Sequence, residues 1–345
     1  MLKQRKAVGF AMMCVSILAG TAVPARAGYY WGGNGMQVVA SGTVANGAIY
    51  MQSASLWPNY GNVQGGCSLQ FTNTPASDSI VSSRLLVALY GGSKDYTCTL
   101  AATINGATTT VTLGGSADSN PEFDANKTNV YGSTSSGAWV ISIPVATANL
   151  KSGGAADNVN ITITNQSGSF DGRIVYSSLW EVYQQASLKN TFQYAIAEGS
   201  GDIYTTTPGT AQSPTVSSRL VDLGGFDLAN LQSDKLDTLY TYVHAGQDNH
   251  LYLNGSLVGG DPAVSSGSTY AAVQASFDVT SGLASNDNSV KFSVDTSDGV
   301  IGSGTTVLRP QEAILEATYS VPEPATLGLL AVSALGVIRK GKKHG

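Results

Sequence analysis

The stretch Arg84-Leu85-Leu86-Val87-Ala88-Leu89-Tyr90, running straight into Gly91-Gly92, decides the fold. It is a short, almost wholly apolar run cut off by a pair of glycines, which punctuate a chain where it must turn. Segments of the same kind recur outward from it, at Thr108 to Leu113, Trp139 to Ile143, Val159 to Thr164 and Val175 to Tyr183. Each is strand-length and bounded by turn residues, and no long helical periodicity intervenes between Gly28 and Ser320. The composition agrees: 40 glycines, abundant Ser, Thr and Asn, and only 12% charged residues in a chain of 345. These features predict an all-β protein of antiparallel β-sandwiches, Ig-like or jelly-roll-like.

The strand-like blocks come in a repeated order. Met36 to Gly42 (MQVVASG) echoes Phe192 to Gly199 (FQYAIAEG), and Ile49-Tyr50 is followed by its counterpart Ile203-Tyr204. Arg84 to Gly91 corresponds to Lys235 to Gly246, and Ile104-Asn105-Gly106 matches Leu253-Asn254-Gly255. Each Asn-Gly follows a β-prone run, as in a two-residue hairpin turn where both residues take positive φ. Val145 to Thr164 and Val279 to Val294 both place an apolar segment, a polar turn with Asn and then a strand; Leu179 to Tyr183 parallels Leu315 to Tyr319. Matched blocks in one order predict two tandem sandwich domains, 28–186 and 187–320, arising by duplication.

The two ends carry addresses rather than fold. Lys3, Arg5 and Lys6 precede an apolar run from Ala7 to Ala22, and Ala25-Arg26-Ala27 fits a small-residue cleavage site, so a signal helix over 1–27 is expected to leave the mature chain at Gly28. At the other end Val321-Pro322-Glu323-Pro324 is stiff and extended, because both prolines fix φ and lack a donor. An uncharged apolar segment from Ala325 to Ile338 follows, shorter than the roughly 20 residues that span a bilayer. Arg339, Lys340, Lys342 and Lys343 then supply positive charge, so 321–345 reads as a sorting motif and a C-terminal apolar helix.

This tail resembles the PEP-CTERM proteins, bacterial exported proteins recognised by a membrane sorting enzyme called exosortase. The resemblance implies cleavage near Val321 to Pro324, a transient inner-membrane anchor, and release to the cell surface or the extracellular polysaccharide matrix. Signal peptidase and exosortase are the partners it implies. The body is similar to a domain of unknown function found in archaeal and bacterial cell-surface proteins, on Asn105-Gly106, the Asn-containing turn before Val159, the Leu179-to-Tyr183 strand and Ala195-Ile196-Ala197-Glu198-Gly199. No catalytic residues come with that resemblance.

Without its two ends the chain is acidic. Residues 28–324 hold ten basic and 23 acidic residues, a net of −13, with no Lys/Arg cluster, which argues against nucleic acid as a partner. Cys14 leaves with the signal segment, and the remaining pair, Cys67 and Cys98, reads as a disulfide in an exported protein. Closing that loop would stabilise the fold by about 3–4 kcal/mol in the chain-entropy picture.

Chemistry-bearing residues are sparse. His244 and His250 flank Asp248 but lack an evident third ligand for a metal. No Gly-x-Ser-x-Gly elbow, zinc-protease helix or phosphate loop occurs. Glu181, Glu198 and Asp202 are the best carboxylates for glycoside hydrolysis, which needs two at a fixed separation. Asp261, Asp287, Asn288, Asp295 and Asp298 sit in loop-like segments where oxygen ligands for a structural calcium could converge. Trp57 and Tyr60 flank Pro58 and Asn59 in a loop-like segment and offer rings for sugar contact, whereas Trp139 and Trp180 belong to core strands. The expectation is a non-enzymatic, cofactor-free surface or matrix protein associated with exopolysaccharide. The alternatives are a carbohydrate-binding adhesin and a secreted glycan hydrolase.

Overall fold

The computed structural model describes residues 28–31, 36–56, 66–72, 77–90, 98–113, 138–165, 173–199, 203–205, 218–243, 249–260, 271–279, 282–294 and 306–320. In chain order the strands begin with β1 (Gly28–Trp31), β2 (Gln37–Ala45), β3 (Gly47–Ser55), β4 (Gly66–Phe71), β5 (Ser79–Tyr90) and β6 (Cys98–Ile104). Next come β7 (Ala107–Leu113), β8 (Ala138–Pro144), β9 (Asp157–Asn165), β10 (Arg173–Gln184), β11 (Asn190–Glu198), β12 (Ile203–Thr205) and β13 (Ser218–Asp222). The last six are β14 (Leu231–Val243), β15 (Asn249–Leu253), β16 (Ser256–Gly260), β17 (Ala271–Asp278), β18 (Ser289–Val294) and β19 (Thr306–Ser320). The all-β expectation holds: among the described residues the only helical piece is a 3-10 turn at Thr147–Asn149. The expected helices over 1–27 and 321–345 lie outside the described residues.

Among the described residues all pairing is antiparallel and forms four sheets. Sheet I has the order β4-β9-β6-β7, sheet II β1-β8-β5-β10-β3, sheet III β17-β14-β19-β11-β2 with β12 also on β19, and sheet IV β13-β18-β15-β16. Strict alternation gives each strand two uses. On β5, Leu85, Val87 and Leu89 join Phe71, Leu100, Val159 and Ile161 of sheet I in one cluster, while Leu86 and Ala88 turn the other way toward Leu239 of sheet III. On sheet III, Ala313, Leu315 and Ala317 pack with Leu251, Val290 and Phe292 of sheet IV, while Phe192, Ile196 and Ile314 meet Trp180 and Val182 of sheet II. The sheets therefore stack in the order I, II, III, IV, and II and III are buried on both faces. That explains why the opening stretch is nearly continuous in apolar residues rather than alternating.

The two Asn-Gly dipeptides make the hairpins they predict. Asn105 and Gly106 (φ 48° and 95°) join β6 to β7, and Asn254 and Gly255 (φ 51° and 81°) join β15 to β16. Each asparagine also clasps the next strand of its sheet. Asn105 Oδ1 accepts from Asn158 N (3.0 Å) and its Nδ2 donates to Asp157 Oδ1 (2.5 Å); Asn254 Oδ1 accepts from Ser289 N (2.8 Å) and its Nδ2 donates to Asn288 Oδ1 (3.0 Å). A main-chain N–H closes each clasp, from Lys151 to Asp157 Oδ1 (2.9 Å) and from Ala284 to Asn288 Oδ1 (2.7 Å).

Two findings differ from the sequence expectations. First, β2 lies in sheet III, paired with β11 from Glu198↔Gln37 to Thr191↔Ala45, whereas β3, one residue later, lies in sheet II on β10. Besides the link from β1 to β2, connections cross between the middle sheets at Asn46 and at residues 185–189, and these two meet: Asn46 N donates to Asn190 O and Gln185 N to Asn46 O. The line at 186/187 is crossed by β2, so it does not separate the sheets. Second, the expected Cys67–Cys98 disulfide is absent, and Cys67 is a free thiol. Cys67 opposes Ile161 on β9, which opposes Ala102 on β6, four residues along from Cys98. Two strand spacings and four residues put the Cα atoms roughly 16 Å apart, whereas a bridge needs less than about 7 Å.

Candidate functional site

Polar side chains meet in the layer between sheets II and III, where the neighbouring residues are apolar. Arg84, which breaks the apolar run of β5, points into this layer and is 7% exposed. Its Nε lies 3.4 Å from Glu198 Oε2 on β11 and donates to Ser142 Oγ on β8 at 2.6 Å; Ser142 Oγ donates in turn to Glu198 Oε2. Trp180 Nε1 on β10 donates to the other oxygen, Glu198 Oε1, at 2.7 Å. Glu198 is fully buried, and its two oxygens hold one charged and two neutral partners from three strands of the facing sheet.

A second buried carboxyl stands directly across the ladder. Glu312 on β19 is the register partner of Glu198, which sets their Cβ atoms about 4.5–5.5 Å apart. Ser178 Oγ (2.9 Å) and Tyr176 OH (3.3 Å) both donate to Glu312 Oε2, and Oε1 has no donor. Burial, reinforced by the charge of Glu198, pushes the Glu312 carboxyl up to about 8, so it is protonated at neutral pH. Burial and the same carboxyl also push the Tyr176 phenol well above its ordinary value. One carboxylate paired with Arg84, beside one carboxylic acid, is an arrangement that a dry layer can hold. Chemically it is a registration device: Ser142, Trp180, Ser178 and Tyr176 of sheet II donate to Glu198 and Glu312 only when sheet III sits in one position.

The structure separates the carboxylates singled out from the sequence. Glu181 lies on β10 next to Trp180 and so faces the opposite way, into the cluster between sheets I and II, where it is 1% exposed. Burial, then the adjacent Asp157, pushes its carboxyl up to about 8. Sheet II therefore stands between Glu181 and Glu198, and they cannot flank one substrate. Asn288, expected among calcium ligands, is buried and fully used: its Nδ2 donates to Gly224 O and Ala284 O while its Oδ1 accepts in the clasp. Asp287 is exposed, and His250 is half-buried on β15, 6.1 Å from the Tyr252 ring. Trp180 is fully buried, as its strand position predicts. Asp202, His244, Asp248, Asp261, Asp295, Asp298, Trp57, Tyr60, the cleavage residues Ala25 and Ala27, and Val321 to Pro324 lie outside the described residues. Among the described residues no three His, Cys, Asp or Glu side chains converge on a metal position.

Sequence reasoning missed Arg84, Ser142 and Glu312. The signal was present in Arg84 itself, because a cation inside a strand-length apolar run demands a buried partner.

The terminal address defines the class: an exported protein. Residues 320–343 match the PEP-CTERM protein-sorting motif, which implies export, processing by exosortase and a surface or extracellular destination. The chain belongs to the family described as protein of unknown function DUF3344, matched over residues 29–318. No curated protein matches it. Among solved structures it is similar to PNGase F, a glycosylasparaginase from Flavobacterium meningosepticum, at 11% identity and a TM-score of 0.27, covering 80% of this chain and 96% of that one. It is also similar to BuGH86 in complex with neoagarooctaose, at 10% identity and 0.23, covering 83% of this chain and 34% of that one. TM-scores this low do not define a shared fold.

Proposed function

We propose that this chain is a non-enzymatic scaffold protein of the cell surface or extracellular matrix, built from two duplicated sandwich halves of which the first lends β2 to the second, and associated with exopolysaccharide. The observation that carries this reading is the placement of the candidate catalytic carboxylates. Glu181 and Glu198 are both enclosed, on opposite sides of sheet II, and Glu198 is committed to Arg84, Ser142 and Trp180. Hydrolysis of a glycan needs two carboxyls that reach one bond, with a water between or beside them. The shared connectivity of sheets I and IV, clasp for clasp, supports duplication. The test is a glycan panel with the exported protein: no turnover is expected, and turnover abolished by Glu198→Gln or Glu181→Gln would sink the reading.

A second reading, a carbohydrate-binding adhesin, is favoured by the outer face of sheet I. Ser68, Gln70, Asn158, Asn160, Thr162, Thr103, Thr108 and Thr110 all point outward there, without one charged side chain in an acidic body. They are already arrayed by contacts such as Ser68 Oγ to Asn160 Oδ1 (2.6 Å) and Thr103 to Thr108 (2.8 Å). Hydroxyls and amides at strand spacing suit a neutral polysaccharide. Binding to the cell's own polysaccharide that is lost in Asn160→Asp/Thr108→Glu would establish it; loss in Trp57→Ala alone would move the contact to that loop.

A further inference from the structure

The two clasps differ in the residue that closes them and in a residue of the facing strand, and the pair of differences marks a site. In the second half the clasp is closed by an amide: Asn288 Oδ1 takes two donors, and its Nδ2 gives to Gly224 O and Ala284 O. On β19 the residue that matches Glu181 in the repeated order is Ala317, whose register partner is the buried Asp234 of β14. In the first half the clasp is closed by a carboxylate. Asp157 Oδ1 takes the matching donors from Asn105 and Lys151, but Oδ2 has nothing to give and receives no donor. In place of Ala317 stands Glu181, whose two oxygens also lack any donor. Asp157 is 0% and Glu181 1% exposed, and the two carboxyls are near enough to interact directly.

Three carboxylate oxygens without donors, enclosed together, need a positive partner. A single shared proton would bridge one oxygen of each residue and leave the third unmatched. A divalent cation satisfies all three at once: it displaces the proton that burial favours on Glu181 and balances the two charges that result. Lys151 does not serve, since its Nζ reaches outward to Ala156 O at 2.8 Å.

We propose that Asp157 and Glu181 form a cation site of the calcium class in the first half of the chain, created where the second half keeps Asn288 and Ala317. Hard oxygen donors suit calcium, and main-chain carbonyls or water supply its remaining ligands. The cation would tie the loop carrying Lys151 and the start of β9, in sheet I, to β10 in the middle of sheet II.

The test is calorimetric titration of the exported protein with calcium chloride after treatment with EDTA, together with thermal unfolding in both solutions. The expected result is a saturable signal of one ion per chain and a Tm higher by about 5 °C with calcium. Asp157→Asn with Glu181→Ala rebuilds the second half's own residues and is expected to fold and to lose the titration. Glu181→Gln, which keeps shape and size, is expected to lose the calcium-dependent rise in Tm even if the double variant does not fold. Identical melting with calcium and EDTA in the unaltered protein overturns the site and leaves a protonated pair. Undiminished binding in either variant overturns it as well, by placing the ion elsewhere.

Discussion

Replacing Glu312 by glutamine tests the layer between sheets II and III most directly. Glu312 is fully buried, receives two hydroxyl donors on one oxygen and none on the other, and faces Glu198 across the ladder. Its carboxyl is raised from an ordinary 4.5 to about 8. A folded-state pKa above the unfolded one means the native protein holds a proton that the unfolded chain has released. The stability tied to that proton is fully present below about pH 4.5 and drains away as pH rises through about 8. Each tenfold change in proton affinity corresponds to ~1.4 kcal/mol, so the stability lost across this window is on the order of 5 kcal/mol. Glutamine has the shape of the protonated acid, accepts from Ser178 and Tyr176 through its carbonyl, and does not titrate. Glu312→Gln is therefore expected to match the unaltered protein near pH 5 and to exceed it by a few kcal/mol near pH 8. Guanidinium unfolding across that range, compared at equal m-value, reads the difference. If both proteins lose stability with pH along the same slope, Glu312 is not protonated in the folded state and the account of the layer fails.

Further outcomes follow from the same geometry. Arg84→Met leaves Glu198 buried without its cation and is expected to cost about 3–5 kcal/mol by the same unfolding measurement; a loss below ~1 kcal/mol would contradict a sealed ion pair. Trp180→Phe keeps the ring but removes the donor to Glu198, with an expected loss of about 1–3 kcal/mol. Asn105→Ala gives up both a positive φ and the clasp bonds to Asn158, Asp157 and Asn149, and should destabilise by more than Gly106→Ala, whose added Cβ meets open space and adds backbone strain of about 1 kcal/mol. Mass spectrometry of the unreduced exported protein is expected to show Cys67 and Cys98 as thiols. Cys67, pushed by burial up to about 11, is expected to alkylate slowly in the native state; a bridged species would contradict the strand register.

What the sequence made legible was local. Strand positions such as Trp139 to Ile143 and Val159 to Thr164 fall inside β8 and β9, and both Asn-Gly turns fall where two positive-φ residues are needed. These follow from alternation and turn chemistry, which act over a few residues. Pairing between distant strands leaves no such trace. Nothing in MQVVASG says that β2 lies against β11 instead of beside β3, and the similarity of those two segments belongs to neighbours in one sheet. The cysteine pair misled for the same reason, because oxidising conditions favour a bridge only where register brings the residues close. The paired roles of Glu198 and Glu312 depend on sheets II and III meeting face to face, which only the tertiary stack determines.

The position of β19 has a mechanical consequence. It is flanked by β14 on one side and by β11 and β12 on the other, and its last paired residue, Ser320, stands immediately before the sorting motif. Tension applied at the C-terminal end of β19 along its axis therefore loads two hydrogen-bonded ladders in shear, where the bonds must fail together. An edge strand would have peeled one bond at a time. The processing that the sorting motif implies thus acts on a chain end whose last strand is gripped from both sides.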